Sequence, residues 1–483
     1  MEQLASIEFP NISLVLPEIV VLITGFLLFS LDLFYKRLNH SLAISLSLVG
    51  YFIAFFLLVL NGNLKGETFY GLYVRDGFST LLQAFMVLLT MALLAFNYKY
   101  YKHKKSLYGE FYYILNFALV GGMFLVSSYN LIVLYVALEA LSISFYILTA
   151  LLKSDFNSKE GAFKYLMLGG LSIALASYGA GFMYLYSGSL DLRYILTHIG
   201  EKEHLLVLGL VFFLIGFAIK IGAVPFHFWL PDAYQGAPTP ITAYMASVGK
   251  LAFFAPLIRL MPYIQEHFAY AWIITVSLIS AFTMLYGNLV ALVQKDVKRL
   301  LAYSSIAHSG YIMAGIAVAN LIGLKAVIYF LIVYSLMGFG SFMVLALLER
   351  VPHWEHKLEQ FSGMRFSNPL LAASFMLILF ALLGVPPTVG FVGKALVFMA
   401  LSFGKLWLLA FVMIVATGIS TGYYLRITAL MFMRDSKERL NLNLSKGEIF
   451  TILSIVIAVV LLGALPIILW NFVSSSAETL FAR

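Results

Sequence analysis

With 483 residues, 62% of them hydrophobic and only 11% charged, and a mean hydropathy of +0.94, the chain is too apolar for a soluble domain and reads as an all-α polytopic membrane protein. It has no cysteine, which excludes disulfides, thiolate metal sites and iron–sulfur clusters ligated by this chain, so any redox chemistry belongs to a partner. The net charge of +8 comes from basic residues spread over short loops and not from a patch, which points to membrane topology and away from nucleic acid.

The N-terminus, MEQLASIEFPNIS, has two glutamates and no Lys or Arg, so it lacks the positive region of a cleaved signal peptide and the first helix is expected to be retained. Apolar runs bounded by polar or Gly/Pro signals predict helices over 13–34, 40–60, 77–97, 110–127, 130–151, 162–187 and 204–235. The second half gives 241–259, 270–293, 300–319, 323–349, 369–402, 406–433 and 447–471, about 14 transmembrane helices in all. In or beside the loops after odd-numbered helices lie 18 Lys and Arg, against 8 at the ends and after even-numbered ones. By the positive-inside rule both termini are then expected on the outer side.

Two predicted helices are too long to be continuous. At 1.5 Å per residue, 204–235 would run about 48 Å and 369–402 about 51 Å, against a hydrocarbon core of roughly 30 Å. Val224-Pro225 breaks the first, and GVPPTVGFVGK at 384–394 breaks the second. A shift of 161 residues places Val224-Pro225 on Val385-Pro386 and Lys164 on Lys325. This fits two inverted five-helix repeats, helices 4–8 and 9–13, each with a broken helix of the kind that lines transport sites. The segments are then 1–97, an N-terminal three-helix unit; 110–259 and 270–433, the two repeats; and 447–483, the C-terminal helix.

Charges inside these helices are the candidates for chemistry. Lys220 follows LLVLGLVFFLIGFAI, Lys250 sits within ITAYMASVGKLAFFAPLI, Lys394 lies in the second break, and Glu139 is near the middle of NLIVLYVALEALSISFYIL. An ionisable group at that depth marks an ion or proton route by default. Desolvation favours a neutral amine and a nearby carboxylate favours the ammonium, so a moving Glu139 would switch Lys220 between holding and releasing a proton. Lys250 and Lys394 would carry the charge onward, with water and His227 or His308 between them. The plainer alternative is that the lysines snorkel to an interface or form static ion pairs. Lys164 stands three residues into its predicted helix, where both readings are open. His353 and His356 in VPHWEHKLEQFSGMR read as a solvated loop, QKDVKR at 294–299 as a positive-inside anchor, and Asp32 and Arg426 as groups that pair or snorkel. There is no glycine-rich nucleotide loop, triad spacing or metal cluster.

The segments KIGAVPFHFWLPDAYQGAPTPITAYMASVGK and GVPPTVGFVGK, the glutamate in LYVALEALSI and the run QKDVKRLLAYSSIAHSGY resemble the antiporter-like membrane subunits of respiratory complex I, the NADH-quinone oxidoreductase. The resemblance carries motifs over about 110–433 and helix count over the whole chain. Within that family PDAYQGAPTP, Lys394 and the short stretch after the last predicted helix resemble the subunit N branch. The resemblance implies that Glu139 and Lys220 form the ion pair of helices 5 and 7, Lys250 is the central lysine, Lys394 leads to the outer side and Lys164 is associated with proton entry. It also implies proton translocation driven by NADH oxidation and quinone reduction in other subunits. No cofactor is expected in this chain; NADH, FMN, iron–sulfur clusters and quinone would belong to the other subunits. The expected partners are other membrane subunits, antiporter-like and quinone-module, and the lipid bilayer of a prokaryotic cell (inner) membrane, with no nucleic acid. The alternatives are a subunit of a secondary sodium (cation)/proton antiporter, and a structural spacer without its own proton path.

Overall fold

The computed structural model describes residues 9–35, 39–62, 64–96, 100, 109–198, 203–267, 269–435 and 442–481. Helices α1 (Leu16–Phe34) and α2 (His40–Leu60) lead to a short antiparallel hairpin, β1 (Gly66–Thr68) and β2 (Tyr73–Arg75), and then to α3 (Gly77–Phe96). The hairpin has no signal in the apolar pattern, because each strand is only three residues long.

Next come α4 (Glu110–Val126), α5 (Leu131–Thr149), α6 (Phe156–Ser187), the short α7 (Leu192–Thr197) and α8 (Glu203–Ile221). Asn130 caps α5 by accepting from the Ile132 amide at 3.0 Å, and Asp155 caps α6 from the Asn157 amide at 2.9 Å. The Asp155 cap starts α6 six residues before the predicted 162, so Lys164 lies about two turns inside the helix.

After α8 the chain breaks and resumes as α9 (Trp229–Gly236). Then α10 (Thr239–Tyr244) runs through a π-helical turn, Met245–Gly249, straight into α11 (Lys250–His267). Helices α12 (Ala269–Val293), α13 (Val297–Val318) and α14 (Leu321–Leu348) follow, α13 capped by Asp296 and α14 by Asn320. A four-residue turn, α15 (Met364–Ser367), precedes α16 (Pro369–Leu383) and α17 (Val389–Phe403), the halves of the second broken helix. The chain ends with α18 (Trp407–Met433), α19 (Lys446–Ala464) and α20 (Ile467–Phe481).

Among the described residues twelve helical spans are long and apolar enough to cross a membrane, Thr239–Ile264 counting as one; α4 and the pair α16/α17 are shorter apolar helices that bring the spans to about fourteen. The C-terminal expectation needs correction. The predicted span 447–471 stops at Ala464, and beyond Pro466 a separate helix begins, because proline supplies no amide to continue the ladder.

Burial sorts the helices into centre and periphery. The most apolar window of Thr239–Ile264 is 100% buried and those of α13 and α14 are 94% buried, against 28% for α6 and for α19. The inner three therefore touch protein on every side, and the outer ones turn an apolar face to lipid. Ser172 ties α6 to α8 by donating to the Gly216 carbonyl at 2.7 Å, the small-residue packing typical of helices in bilayers.

Candidate proton path through the bundle

Both long helices break by the same device. Gly222 (φ +69°) ends α8, with the Ala223 amide on the Ala218 carbonyl at 2.8 Å and the Gly222 amide on Ile219 at 3.1 Å. Gly384 (φ +92°) ends α16 with Val385 on Phe380 at 2.9 Å and Gly384 on Ala381 at 3.0 Å. Each is a Schellman cap, which needs a residue tolerant of the left-handed region, and glycine supplies it. The caps align at a shift of 162 residues, one more than the 161 expected from sequence. Lys164 and Lys325, paired by the same shift, have different partners: Lys164 meets Asp232 and Glu160, whereas Lys325 meets Glu478 Oε1 at 2.8 Å.

Each cap leaves free the carbonyl of the residue before its glycine, and each of those receives a lysine. Lys250, first residue of α11 after the π turn, donates to the Ile221 carbonyl at 2.6 Å and also to Ser309 Oγ of α13. Lys394 on α17 donates to the Leu383 carbonyl at 2.9 Å, and its ammonium stands 4.7 Å from the Tyr311 ring centroid. Both lysines are buried. A cation at the negative end of a helix is favourably placed, which explains why a break and an amine occur together.

Lys220 lies in the last turn of α8, with its side chain fully buried. It points at one face of α5, where Glu139, Ser142 and Tyr146 recur at three and four residues. Its ammonium donates to Ser142 Oγ at 2.8 Å and to the Tyr146 hydroxyl at 3.0 Å, and stands 3.6 Å from Glu139 Oε1. The Glu139 side chain is 30% exposed, but Oε1, the oxygen that faces the ammonium, is buried and accepts no hydrogen bond among the described residues, so at 3.6 Å the contact is a loose one. Gly169 of α6 makes room for Tyr146: a Cβ there would fall 1.8 Å from the hydroxyl. Tyr165 packs edge-on against Tyr146 and stacks flat on Trp229, linking this site to α9.

Between Lys250 and Lys394 lies a row of hydroxyl and aromatic groups. Ser309 accepts from Lys250 and its hydroxyl has two carbonyls to donate to, Ile221 at 3.0 Å and Ser305 at 3.1 Å, and the Tyr334 hydroxyl donates to Ser305 Oγ at 2.7 Å. His308 stacks on Tyr334, centroids 4.8 Å apart, with Nε2 3.4 Å from the Tyr424 hydroxyl, while its other neighbour, Tyr311, lies under Lys394. His308 Nδ1 is buried and has no hydrogen-bond partner among the described residues.

The remaining predicted residues lie elsewhere. His227, in the first break, packs against Phe228 and against Tyr286 of α12, with centroids 4.5 Å apart in both cases. Lys164 is 41% exposed and sits between Glu160 at 2.6 Å and Asp232 at 2.7 Å, and Arg299 holds the other oxygen of Asp232 at 2.6 Å. Asp232, in PDAYQGAP, was missed by sequence reasoning; a carboxylate on the short helix after the break was the available signal. Two plain readings also need correction. Lys298 of QKDVKR is buried, donating to the Ala237 carbonyl at 2.7 Å and standing 3.6 Å from Glu349. His356 is buried as well: Trp354 Nε1 donates to its Nδ1 at 3.1 Å, so Nε2 carries the proton toward Glu349 at 3.0 Å. Among the described residues no group of three or more His, Cys, Asp or Glu could hold a metal ion.

A different kind of charge pair braces the other end of the bundle. Arg259 of α11 meets Asp76 in a fork, 2.9 and 3.2 Å, with both side chains fully buried and the guanidinium 4.6 Å from the Tyr129 ring centroid.

Comparison with known proteins matches this architecture. Residues 128–420 match the family described as NADH:quinone oxidoreductase/Mrp antiporter, TM. The chain is 60% identical over 477 residues to NADH-quinone oxidoreductase subunit N 2 of Aquifex aeolicus (strain VF5), covering 98% of each. It is also similar to a chain in the structure of respiratory complex I from Thermus thermophilus with bound aureothin, with TM-score 0.83, 30% identity, and coverage of 95% of this chain and 100% of that one. A chain of the Mrp complex from Dietzia sp. DQ12-45-1b gives TM-score 0.87 at 18% identity, covering 98% of each, and so shares the fold. On these grounds, and with the two capped breaks in place, the chain belongs to the NADH:quinone oxidoreductase/Mrp antiporter membrane family, in its subunit N branch.

Proposed function

We propose that this chain is a proton-translocating, non-redox membrane subunit of an NADH-quinone oxidoreductase, a translocase driven by quinone reduction in other subunits. NADH, FMN, iron–sulfur clusters and quinone are assigned to those subunits, and the partners are neighbouring antiporter-like and quinone-module subunits in a prokaryotic inner membrane. Both termini are assigned to the outer side from the lysine and arginine distribution. The transport units are 110–259 and 270–433, flanked by 1–97 and 447–483.

One observation carries the reading. Lys250 and Lys394 are buried on neutral acceptors, a carbonyl with a serine and a carbonyl with a tyrosine ring, with no ion pair among the described residues. Acceptors of this kind bind an ammonium without locking it, because no anion is left uncompensated when the proton departs. The Asp76–Arg259 pair, by contrast, is locked, and losing either charge would strand the other. In the proposed sequence, Glu139 biases Lys220, the proton passes to Lys250, and the hydroxyl row with His308 delivers it to Lys394. Lys164 and Asp232 lie at the entry end, and His227 serves the first break.

The test is Lys250→Ala in the assembled complex in proteoliposomes, with proton movement and quinone reduction measured together. Assembly with loss of pumping supports the path, whereas full pumping would refute it. The antiporter alternative draws on the Mrp likeness, which carries fold alone; cation transport driven by an ion gradient without electron input would favour it.

A further inference from the structure

Near the start of α13 and the end of α14, four segments converge on one carboxylate, its side chain 12% exposed, that the path above does not use. Glu349 Oε1 accepts from the Thr239 hydroxyl at the start of α10 and from His356 Nε2 at 3.0 Å, and stands 3.6 Å from Lys298 Nζ. Its Oε2 accepts from the Tyr100 hydroxyl at 2.7 Å. The neighbouring Arg350 is engaged by Glu448 at 2.6 Å. Directly above lies an exposed loop, in which Lys357 and Glu355 are paired with side chains 63% and 59% exposed. The acid is therefore one layer below water, at the end of the bundle that the basic-residue count assigns to the cytoplasm.

The helix that holds Lys298 also leads inward. Lys298, Ser305 and Ser309 fall seven and four residues apart along α13, which keeps them on one face. They span about 16 Å of axis. Ser309 is the hydroxyl that accepts from Lys250, and Ser305 is the one that accepts from Tyr334. The face of α13 that begins at Lys298, 3.6 Å from Glu349, thus ends beside the central lysine. This layout suits a proton-collecting group: an acid with two protonatable neighbours, solvent on one side and a row of hydroxyls on the other.

We propose that Glu349, with Lys298 and His356, is a second proton intake that feeds Lys250 along the Ser305–Ser309 face of α13, independent of the Lys164–Asp232 entry. The carboxylate takes one proton from water at the loop and releases it inward, with no bond or electron otherwise exchanged. The inference rests on the proton-translocating reading above.

The test uses the assembled complex in proteoliposomes and compares Glu349→Gln with the double variant Lys298→Met, Glu349→Gln. Glutamine keeps one carbonyl oxygen that can accept from Thr239 and His356 and turns an amide donor toward the Tyr100 oxygen, but it cannot cycle a proton. The double variant also removes the stranded lysine charge. The expected result is a pumping rate at least threefold lower in both variants with assembly intact, and recovery of at least half the rate in Glu349→Asp. Normal pumping in the double variant would mean the ion pair is only a strut, and would overturn the proposal, as would failure of every variant to assemble. Lys250→Ala run alongside separates the two claims. If it pumps normally, the translocation reading itself fails; if it is silent while Glu349→Gln pumps normally, only the intake falls.

Discussion

Ile221 and Leu383, 162 positions apart, do the same thing: each is the last residue before a left-handed glycine, and each gives its carbonyl to a buried lysine, Lys250 or Lys394. The two halves of the protein thus repeat a backbone feature and an amine, although the amines come from different places in each half. Lys250 reaches across from the following helix, and Lys394 reaches back from the second half of its own broken helix.

The Glu139–Lys220 pair is predicted to matter more for transport than for stability. The contact is 3.6 Å and the buried ammonium keeps its Ser142 and Tyr146 acceptors when the carboxylate is lost, so Glu139→Gln should cost less than the roughly 3–5 kcal/mol of a broken buried pair. Proton pumping should fall about tenfold or more, as a change of about 1.4 kcal/mol in lysine charging implies. Thermal melting and proteoliposome pumping on one preparation check both halves; a large stability loss with normal pumping would contradict the expectation.

Gly169 should behave as a positioning residue for Lys220. A Gly169→Ala side chain must displace the Tyr146 hydroxyl and so remove one of the two hydroxyl acceptors of the ammonium. A hydrogen bond to a charged group is worth about 1.5–3 kcal/mol. Tyr146→Phe removes the same acceptor without crowding, and the two variants should lose pumping to a similar degree. Gly170→Ala, next door and with nothing within 4 Å of its Cβ position, should be close to wild type.

The helix caps give a stability prediction. Gly384→Ala forces a side chain into the left-handed region, at a cost of about 1–2 kcal/mol, and brings its Cβ to 3.1 Å from Lys394 Cδ. Gly188 has φ +67° with open space around it, so Gly188→Ala should show the backbone term alone. A lower Tm in both, but impaired pumping only in Gly384→Ala, is the expected pattern.

Asp76→Ala should lower stability more than Glu139→Gln, Gly169→Ala or Gly384→Ala, because it strands a fully buried guanidinium; breaking such a pair costs about 3–5 kcal/mol. Asp76→Leu combined with Arg259→Met should recover much of the loss. The yield of assembled complex and its Tm read this directly.

The deep charges were legible in the sequence because an apolar run leaves few explanations for a lysine or a glutamate. Lys220, Lys250, Lys394 and Glu139 could be picked out that way, and so could both breaks, from length and proline. Their acceptors could not: Ser142, Ser309 and Tyr146 are ordinary residues of helices, and the carbonyls of Ile221 and Leu383 belong to no side chain at all. Lys298, Asp232, Glu349 and His356 were hidden for the opposite reason. They lie near helix ends and loops, where charges are common, so nothing in the pattern distinguishes a buried cluster from a solvated face. The one-residue error in the repeat has a similar origin, since Val-Pro recurs in both breaks while the glycines that stop the helices are the better markers.

The main-chain origin of those two lysine acceptors has a genetic consequence. Replacing Ile221 or Leu383 with any residue except proline leaves its oxygen where it is, so most drift at these two codons spares the docking point; an altered helix stop does not.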